Sequence, residues 1–448
     1  MRGFKSLIVL SVVLAGLAAY IYFVESKKPE ESAATTAGPK VFAVKTEAID
    51  EIAVKSASGD RTTLKKIGGT WQITAPVSAP ADEAEVSGIV TNLATVDIVR
   101  TVEEAAADLA QFGLAEPRVE IEFKEAGGTS TRRLLIGDKT ATSGELYARL
   151  PSDKKVFLIA SSYDATFNRS TFDLREKTVL SFERDKVVQV IVEGGAAPVE
   201  LARAADQWTL AKPIQAPADY GTVEGLIGRV QSAQMKAITA QEAKDLKAYG
   251  LDKPAASITF GVGSSRATLH FGSQADGATV YAKDASRAMI FTVDSTLLED
   301  VRKPADELRR KDVFEFRPFN ATSVQVTRGS ETVVFEKAKG QGKDTTEVWR
   351  QAKPAAKVVD AAAFDSFLTK LTSLRAQSFV EARGQTKTGL DAPALVVTVR
   401  FDDGKKEEKV TFGRAGADAH AAMAGQPGAA KLDATEFDDV LKALEAIK

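Results

Sequence analysis

The sequence predicts an α+β protein of three tandem repeats, each a mostly antiparallel sheet with one capped helix, behind a single N-terminal transmembrane helix. Three observations carry this reading. One pattern occurs three times, from Trp71 to Leu93, Trp208 to Val230 and Trp349 to Leu371, and its three Trp are the only ones in the chain. Around each copy, apolar and polar residues alternate with the period of a half-buried strand. Ahead of the first copy, Leu7 to Val24 is an apolar run without a charge.

At 1.5 Å per residue that run covers most of a bilayer core, and Arg2 and Lys5 before it hold its start in the cytoplasm. A cleaved signal peptide is the rival, with Leu17-Ala-Ala19 as its cleavage site. Tyr20-Ile-Tyr-Phe-Val24 continues the apolar run beyond that point, which favours an uncleaved anchor over residues 1–24. Tyr20, Tyr22 and Phe23 then sit at the outer interface, where aromatic rings are favoured. The expected location is the bacterial inner membrane, single-pass, with the C-terminal bulk in the periplasm. Residues 25–40 are Pro, Ala, Thr and charge, the composition of a flexible linker.

The repeats are read as residues 41–178, 179–312 and 313–448, separate folding units joined near Lys177 and Lys311. They open on Val41-Phe-Ala-Val44, Val179-Leu-Ser-Phe182 and Val313-Phe-Glu-Phe316. A strand pair follows in each, turning at Ser58-Gly59-Asp60, Gly194-Gly195 and Gly329-Ser330 and ending on the Trp strand. The third copy carries extra residues here, and Lys339-Gly-Gln-Gly-Lys-Asp reads as a mobile loop. Five residues after each Trp stands a Pro (Pro76, Pro213, Pro354), and eleven after it an Asp (Asp82, Asp219, Asp360). Val86, Ile89, Val90 and Leu93 then mark one stripe of a helix, as do Val223, Leu226, Ile227 and Val230, and Phe364, Phe367, Leu368 and Leu371. Each Asp occupies the N-cap, where a carboxylate accepts from orphaned N–H groups, and Glu85 is placed to complete a capping box. The Trp rings are expected to fill the gap between sheet and helix.

A second marker follows each helix: Phe112-Gly-Leu-Ala-Glu-Pro117, Tyr249-Gly-Leu-Asp-Lys-Pro254 and Thr388-Gly-Leu-Asp-Ala-Pro393. Helical stretches are expected before the first two, over Glu103–Phe112 and Gln241–Tyr249, with that helix lost in the third. Gly113 and Gly250 then end the turn in the left-handed conformation and Pro117 and Pro254 prevent a restart, while Gly389 and Pro393 hold the same places in the third box. Alternating strands begin at Val119, Ala256 and Leu395. The next strands end on Leu134-Leu-Ile-Gly137, Leu269-His-Phe-Gly272 and Val410-Thr-Phe-Gly413, followed by Tyr147-Ala148 and Tyr281-Ala282. In the third copy the last strands look blurred, with no Tyr-Ala pair, and Phe437, Val440, Leu441 and Leu444 return to helical spacing. Each repeat exceeds the roughly 20–50 residues of a solenoid unit and can hold its own core.

Chemistry is hard to find in this sequence. Net charge is -2 from 59 basic and 61 acidic residues, so no global field attracts nucleic acid. The absence of Cys excludes disulfides, thiolate metal sites and a Cys nucleophile. Of the two His, His270 lies on the strand face opposite Leu269 and Phe271, and neither has a ligand partner at metal-site spacing. No phosphate loop, nucleophile elbow or zinc-protease motif occurs, and Gly261-Val-Gly263 reads as a turn. Asp402-Asp403 and Asp438-Asp439 are adjacent pairs that point apart on a strand or helix. The expected catalytic, cofactor-binding and metal residues are therefore none. The repeated Trp, Pro, Asp and Gly positions are structural.

With the Trp-to-Pro-to-Asp spacing, the Gly-Leu-x-x-Pro box, the Ile-Gly strand end and the Tyr-Ala pair, the chain resembles the bacterial family called domain of unknown function 4340. The resemblance is best over residues 41–310. It implies a single-anchor envelope protein that works beside an ABC-type exporter permease and a partner similar to gliding-motility auxiliary proteins. The expected function is that of a non-enzymatic, membrane-anchored periplasmic accessory or binding protein with a membrane-protein partner and no cofactor. The alternatives are an envelope hydrolase or glycan-acting enzyme using carboxylates about 5–9 Å apart, and a structural spacer.

Overall fold

A computed structural model describes residues 38–142, 144–339, 347–380 and 387–447. The expected anchor, most of the linker, the loop after Lys339 and most of the stretch before Thr388 lie outside them. Among the described residues no helix is long and apolar enough to cross a membrane.

The first repeat forms a nine-stranded antiparallel sheet. Its strands are β1 (Ile49–Lys55), β2 (Arg61–Ile67), β3 (Thr70–Ala75), β4 (Ala79–Pro80), β5 (Arg100–Glu103), β6 (Val119–Glu125), β7 (Arg132–Lys139), β8 (Glu145–Arg149) and β9 (Val156–Ala160). Their order across the sheet is β4-β3-β2-β1-β6-β7-β8-β9-β5. From edge strand β4, helix α1 (Glu83–Thr95) carries the chain to β5 at the opposite edge. The chain then returns to the middle, where β6 pairs with β1.

The two crossings use opposite faces. Val86, Ile89, Val90 and Leu93 of α1 share one core with Ile52, Val54, Trp71, Leu134 and Ile136. The return segment contributes Ala106, Phe112 and Leu114 to a separate cluster with Leu135 and Val156. Because successive strand residues face opposite ways, Leu135 between Leu134 and Ile136 places that cluster on the other face. A short helix α2 (Tyr163–Phe167) then packs on α1.

The second sheet comprises β10 (Val187–Glu193), β11 (Val199–Ala204), β12 (Gln207–Lys212), β13 (Ala216–Pro217), β14 (Ala237–Ala240), β15 (Ala256–Val262), β16 (Ser265–Gln274), β17 (Thr279–Asp284) and β18 (Ile290–Asp294). Helix α3 (Tyr220–Gln231) is its crossover, and α4 (Ser295–Val301) and α5 (Ala305–Leu308) follow the last strand. The third sheet comprises β19 (Ala321–Arg328), β20 (Glu331–Lys339), β21 (Glu347–Lys353), β22 (Lys357–Val358), β23 (Ala376–Val380), β24 (Leu395–Phe401), β25 (Lys406–Ala415), β26 (Asp418–Met423) and β27 (Ala429–Leu432). Its helices are α6 (Ala361–Ser373) and α7 (Ala434–Glu445), packed on each other. Both sheets repeat the strand order of the first, and among the described residues no strand is exchanged between repeats. Contact density divides the chain into two compact units, one ending at Lys177 and one from Thr178 that contains both later sheets.

Several local expectations need correction. The last strands of the third copy are regular and paired, with the small residues Ala419 and Ala430 packing where larger ones stand in the other copies. Only single 3-10 turns, Ala110–Phe112 and Lys247–Tyr249, precede Gly113 and Gly250; β5 takes up Glu103, the start of the first expected helix, and β14 ends at Ala240, just before the second. The capping box is not closed: the Asp82 N–H donates to the Leu174 carbonyl and Glu85 pairs with Arg169. Asp402 and Asp403 sit in a turn, both with positive φ. The opening apolar runs are outside the sheets, although Phe42, Val179, Leu180, Phe314 and Phe316 are buried.

Candidate functional site

Each motif position has a local structural task. Trp71, Trp208 and Trp349 are buried in β3, β12 and β21, next to the crossover helix. Trp208 also donates its indole N–H to Glu224 Oε1 at 3.0 Å, and Arg184 and Arg203 pair with that carboxylate. Pro76, Pro213 and Pro354 each follow a cis peptide bond. Asp82, Asp219 and Asp360 cap the crossover helices, accepting from the N–H of Ala84 and Glu85, of Thr222, and of Ala363. Pro117, Pro254 and Pro393 stand just before β6, β15 and β24.

The glycine box explains a second glycine. Gly113, Gly250 and Gly389 have φ of 64°, 65° and 70°, a left-handed turn that glycine adopts without steric cost. That turn lies directly on the strand glycines. A Cβ on Gly137, Gly272 or Gly413 would collide with the carbonyl oxygen of Phe112, Tyr249 or Thr388. Beside this contact Phe112 meets Tyr147 and Tyr249 meets Tyr281, with ring centroids 5.0 and 5.1 Å apart.

In the third repeat the same register position is His420. Ala148, Ala282 and Ala421 pair with Ile136, Phe271 and Phe412, so His420 occupies the place of Tyr147 and Tyr281. The Tyr-Ala pair is thus replaced in place, opposite Thr388 where the other copies carry Phe or Tyr. His420 is buried, and its Nδ1 has no partner among the described residues. Burial lowers its pKa below the ordinary value, with Asp418 and the Thr388 backbone opposing and Lys431 adding to the shift.

Several other titratable groups are held in ion pairs or structural hydrogen bonds. Asp164 pairs with Arg118 and Lys139. Glu408 accepts from the backbone N–H groups of Glu315 and Phe316, and burial raises its pKa. His270 is half-buried, with its pKa lowered by burial and then by Lys283. A cleft of about 430 Å³ beside α3 contains Asp300, which pairs with Arg229 and Lys303. A neighbouring cleft of about 280 Å³ contains Asp294, paired with Lys236. In the first repeat a cleft is lined by Arg132 and Arg133, which pair with Glu125 and Glu122. No cluster of three metal-ligating side chains occurs among the described residues.

One interaction was not found from the sequence. Asp173-Leu-Arg-Glu-Lys177 and Glu307-Leu-Arg-Arg-Lys311 share a Leu-Arg pair, and each closes the repeat that precedes it. In the first, the Glu176 N–H donates to Pro80 O, Leu174 O accepts from Asp82, and Arg175 bridges Ala81. In the second, the Arg310 N–H donates to Pro217 O, Leu308 O accepts from Asp219, and Arg309 bridges Ala218. Leu174 and Leu308 are fully buried. Arg309 also enters the third repeat, where its guanidinium stacks 3.6 Å from the Phe379 ring centroid and donates to Pro427 O. The signal that could have revealed these segments was the repeated acid-Leu-Arg-x-Lys string, which is short and lies between the recognised repeats.

A family model described as domain of unknown function (DUF4340) matches residues 71–215 and again 208–393. A comparison with curated proteins returned no match. Among solved structures, a DNA polymerase sliding clamp from Pseudomonas aeruginosa crystallised with ligand aligns at 6% identity. That alignment covers 89% of this chain and 93% of the clamp, but its TM-score of 0.17 is too low to support a common fold.

Proposed function

The chain belongs to the DUF4340 family, and from that premise we propose that it is a non-enzymatic accessory or binding protein of the bacterial envelope. It is held in the inner membrane by residues 7–24 and presents its three repeats in the periplasm to a membrane-protein partner, an ABC-type permease or its auxiliary subunit. The observation that carries the reading is the fate of the repeated positions. Trp, Pro, Asp and Gly are spent on cores, caps and turns, so repetition has multiplied sheets and edges, which are binding surfaces. A tether and several domains present more than one such surface to a partner.

The test is a pull-down of the tagged full chain from membranes in mild detergent, with the co-eluting proteins identified. Recovery of a permease or auxiliary subunit in a stable ratio is the expected result. Recovery of the chain alone, or in the soluble fraction starting near Tyr20, overturns the reading.

A further inference from the structure

We propose that the third repeat carries an open strand edge, Lys357 to Asp360, that binds an extended segment of another protein by β-augmentation. The same edge is filled in the first two repeats. There the Pro80 and Pro217 carbonyls accept, and the Asp82 and Asp219 N–H groups donate, to the Leu-Arg segments that follow. The register Gln72↔Pro80 recurs as Arg350↔Val358, so the Val358 carbonyl and the Asp360 N–H likewise point away from the sheet. Among the described residues neither has a backbone partner outside the sheet, and no bridge at Val359 matches those at Ala81 and Ala218.

The side chains at this edge differ in the direction a ligand would require. Pro80 and Pro217 lack an N–H, as suits an edge that offers only its carbonyl. Their place is taken by Val358, which keeps the donor and is 70% exposed. Lys357 stands where the other repeats have Ala79 and Ala216, and it is exposed. The antiparallel register of the filled edges sets Glu176 opposite Pro80 and, one residue on, Lys177 opposite Ala79. At the open edge the occupant therefore carries an apolar residue opposite Val358 and an acidic one opposite Lys357, a pairing that is favourable across a strand pair. The inference does not depend on the cell compartment or on the partner recovered above, so either can fail without the other.

The test uses the full chain and a fluorescent peptide of residues 170–178 with Glu176→Val and Lys177→Glu. Saturable binding is expected. Binding should weaken tenfold or more when the Val amide, the donor to Val358 O, is N-methylated, and several-fold when the Glu is returned to Lys. The chain has no Cys, so a V358C variant should form a disulfide with the peptide carrying Cys in place of that Val, and an I67C variant at another exposed strand position should not. Absent binding, indifference to N-methylation, or equal cross-linking at both positions overturns the proposal. A concentration-dependent dimer that the peptide fails to dissociate would overturn it too, assigning the edge to a second copy.

Discussion

Trp208 combines a buried ring with a hydrogen bond to a carboxylate that two arginines hold in place. Truncation removes the ring and leaves Glu224 short of a donor, so Trp208→Ala is expected to cost about 3–5 kcal/mol. Hydrogen exchange should show this as lost protection across Val187–Glu193 and Val199–Ala204; unchanged protection would put the ring outside the stabilising core. His420 makes a different demand. Its unfolded pKa is near 6.5, and burial lowers the folded value. The unfolded chain thus binds more protons below about pH 6.5, and stability falls as pH drops through the folded pKa. Glu408, raised by burial, acts in the opposite sense: its contribution is present below its unfolded pKa and lost as pH rises through the folded value. The clean measurement is therefore a difference between the wild type and His420→Gln. The variant should lose less thermal stability between pH 7.5 and 5.5, and parallel curves would show that the imidazole titrates as it does in water.

Among the elements, the crossover helix and the Leu-Arg segment depend on each other. The Asp at the helix start uses its carboxylate on the first turn and, in the first two repeats, its own N–H on the segment that closes the repeat. Leu308→Ala should leave a cavity beside α3 at a cost of about 2–5 kcal/mol. Amide exchange should rise at Asp219 and along the first turn of α3, with little change in the first repeat. A uniform change across all three sheets would argue against so local a role. The short edge strands serve the same arrangement, since a two-residue strand ending in Pro gives a neighbouring chain little to pair with except the segment already bound there.

For the whole molecule, the joint after the second repeat is shared property. Residues 307–312 close the second repeat, while the Val313 N–H donates to Leu374 O and Arg309 reaches Phe379 and Pro427 in the third. A fragment of residues 179–312 contains a full sheet and its closing segment, and it is expected to fold cooperatively. The same fragment ended at residue 306 should be less stable by about 2–5 kcal/mol, because Leu308 and its backbone hydrogen bonds are gone. Urea denaturation followed by circular dichroism compares the two. Equal midpoints would mean that the segment belongs to the third repeat alone.

The periodicity of the sequence was enough to fix the three repeats, the crossover helices and the strands from Val119, Ala256 and Leu395, because amphipathic spacing and capping are local properties. Asp82, Asp219 and Asp360 were legible as caps for that reason, and Gly113 and Gly250 as left-handed turns. Tertiary structure alone decided what those turns rest on: Gly137, Gly272 and Gly413 are glycine because a distant carbonyl lies against them, and no local pattern carries that contact. It also decided that β6 enters the sheet beside β1, that His420 inherits a tyrosine position, and that two Leu-Arg strings close strand edges some ninety residues before them. Each of these is a pairing between segments far apart in the chain, set largely by main-chain hydrogen bonds that form whatever the side chain, so residue types leave little trace of it.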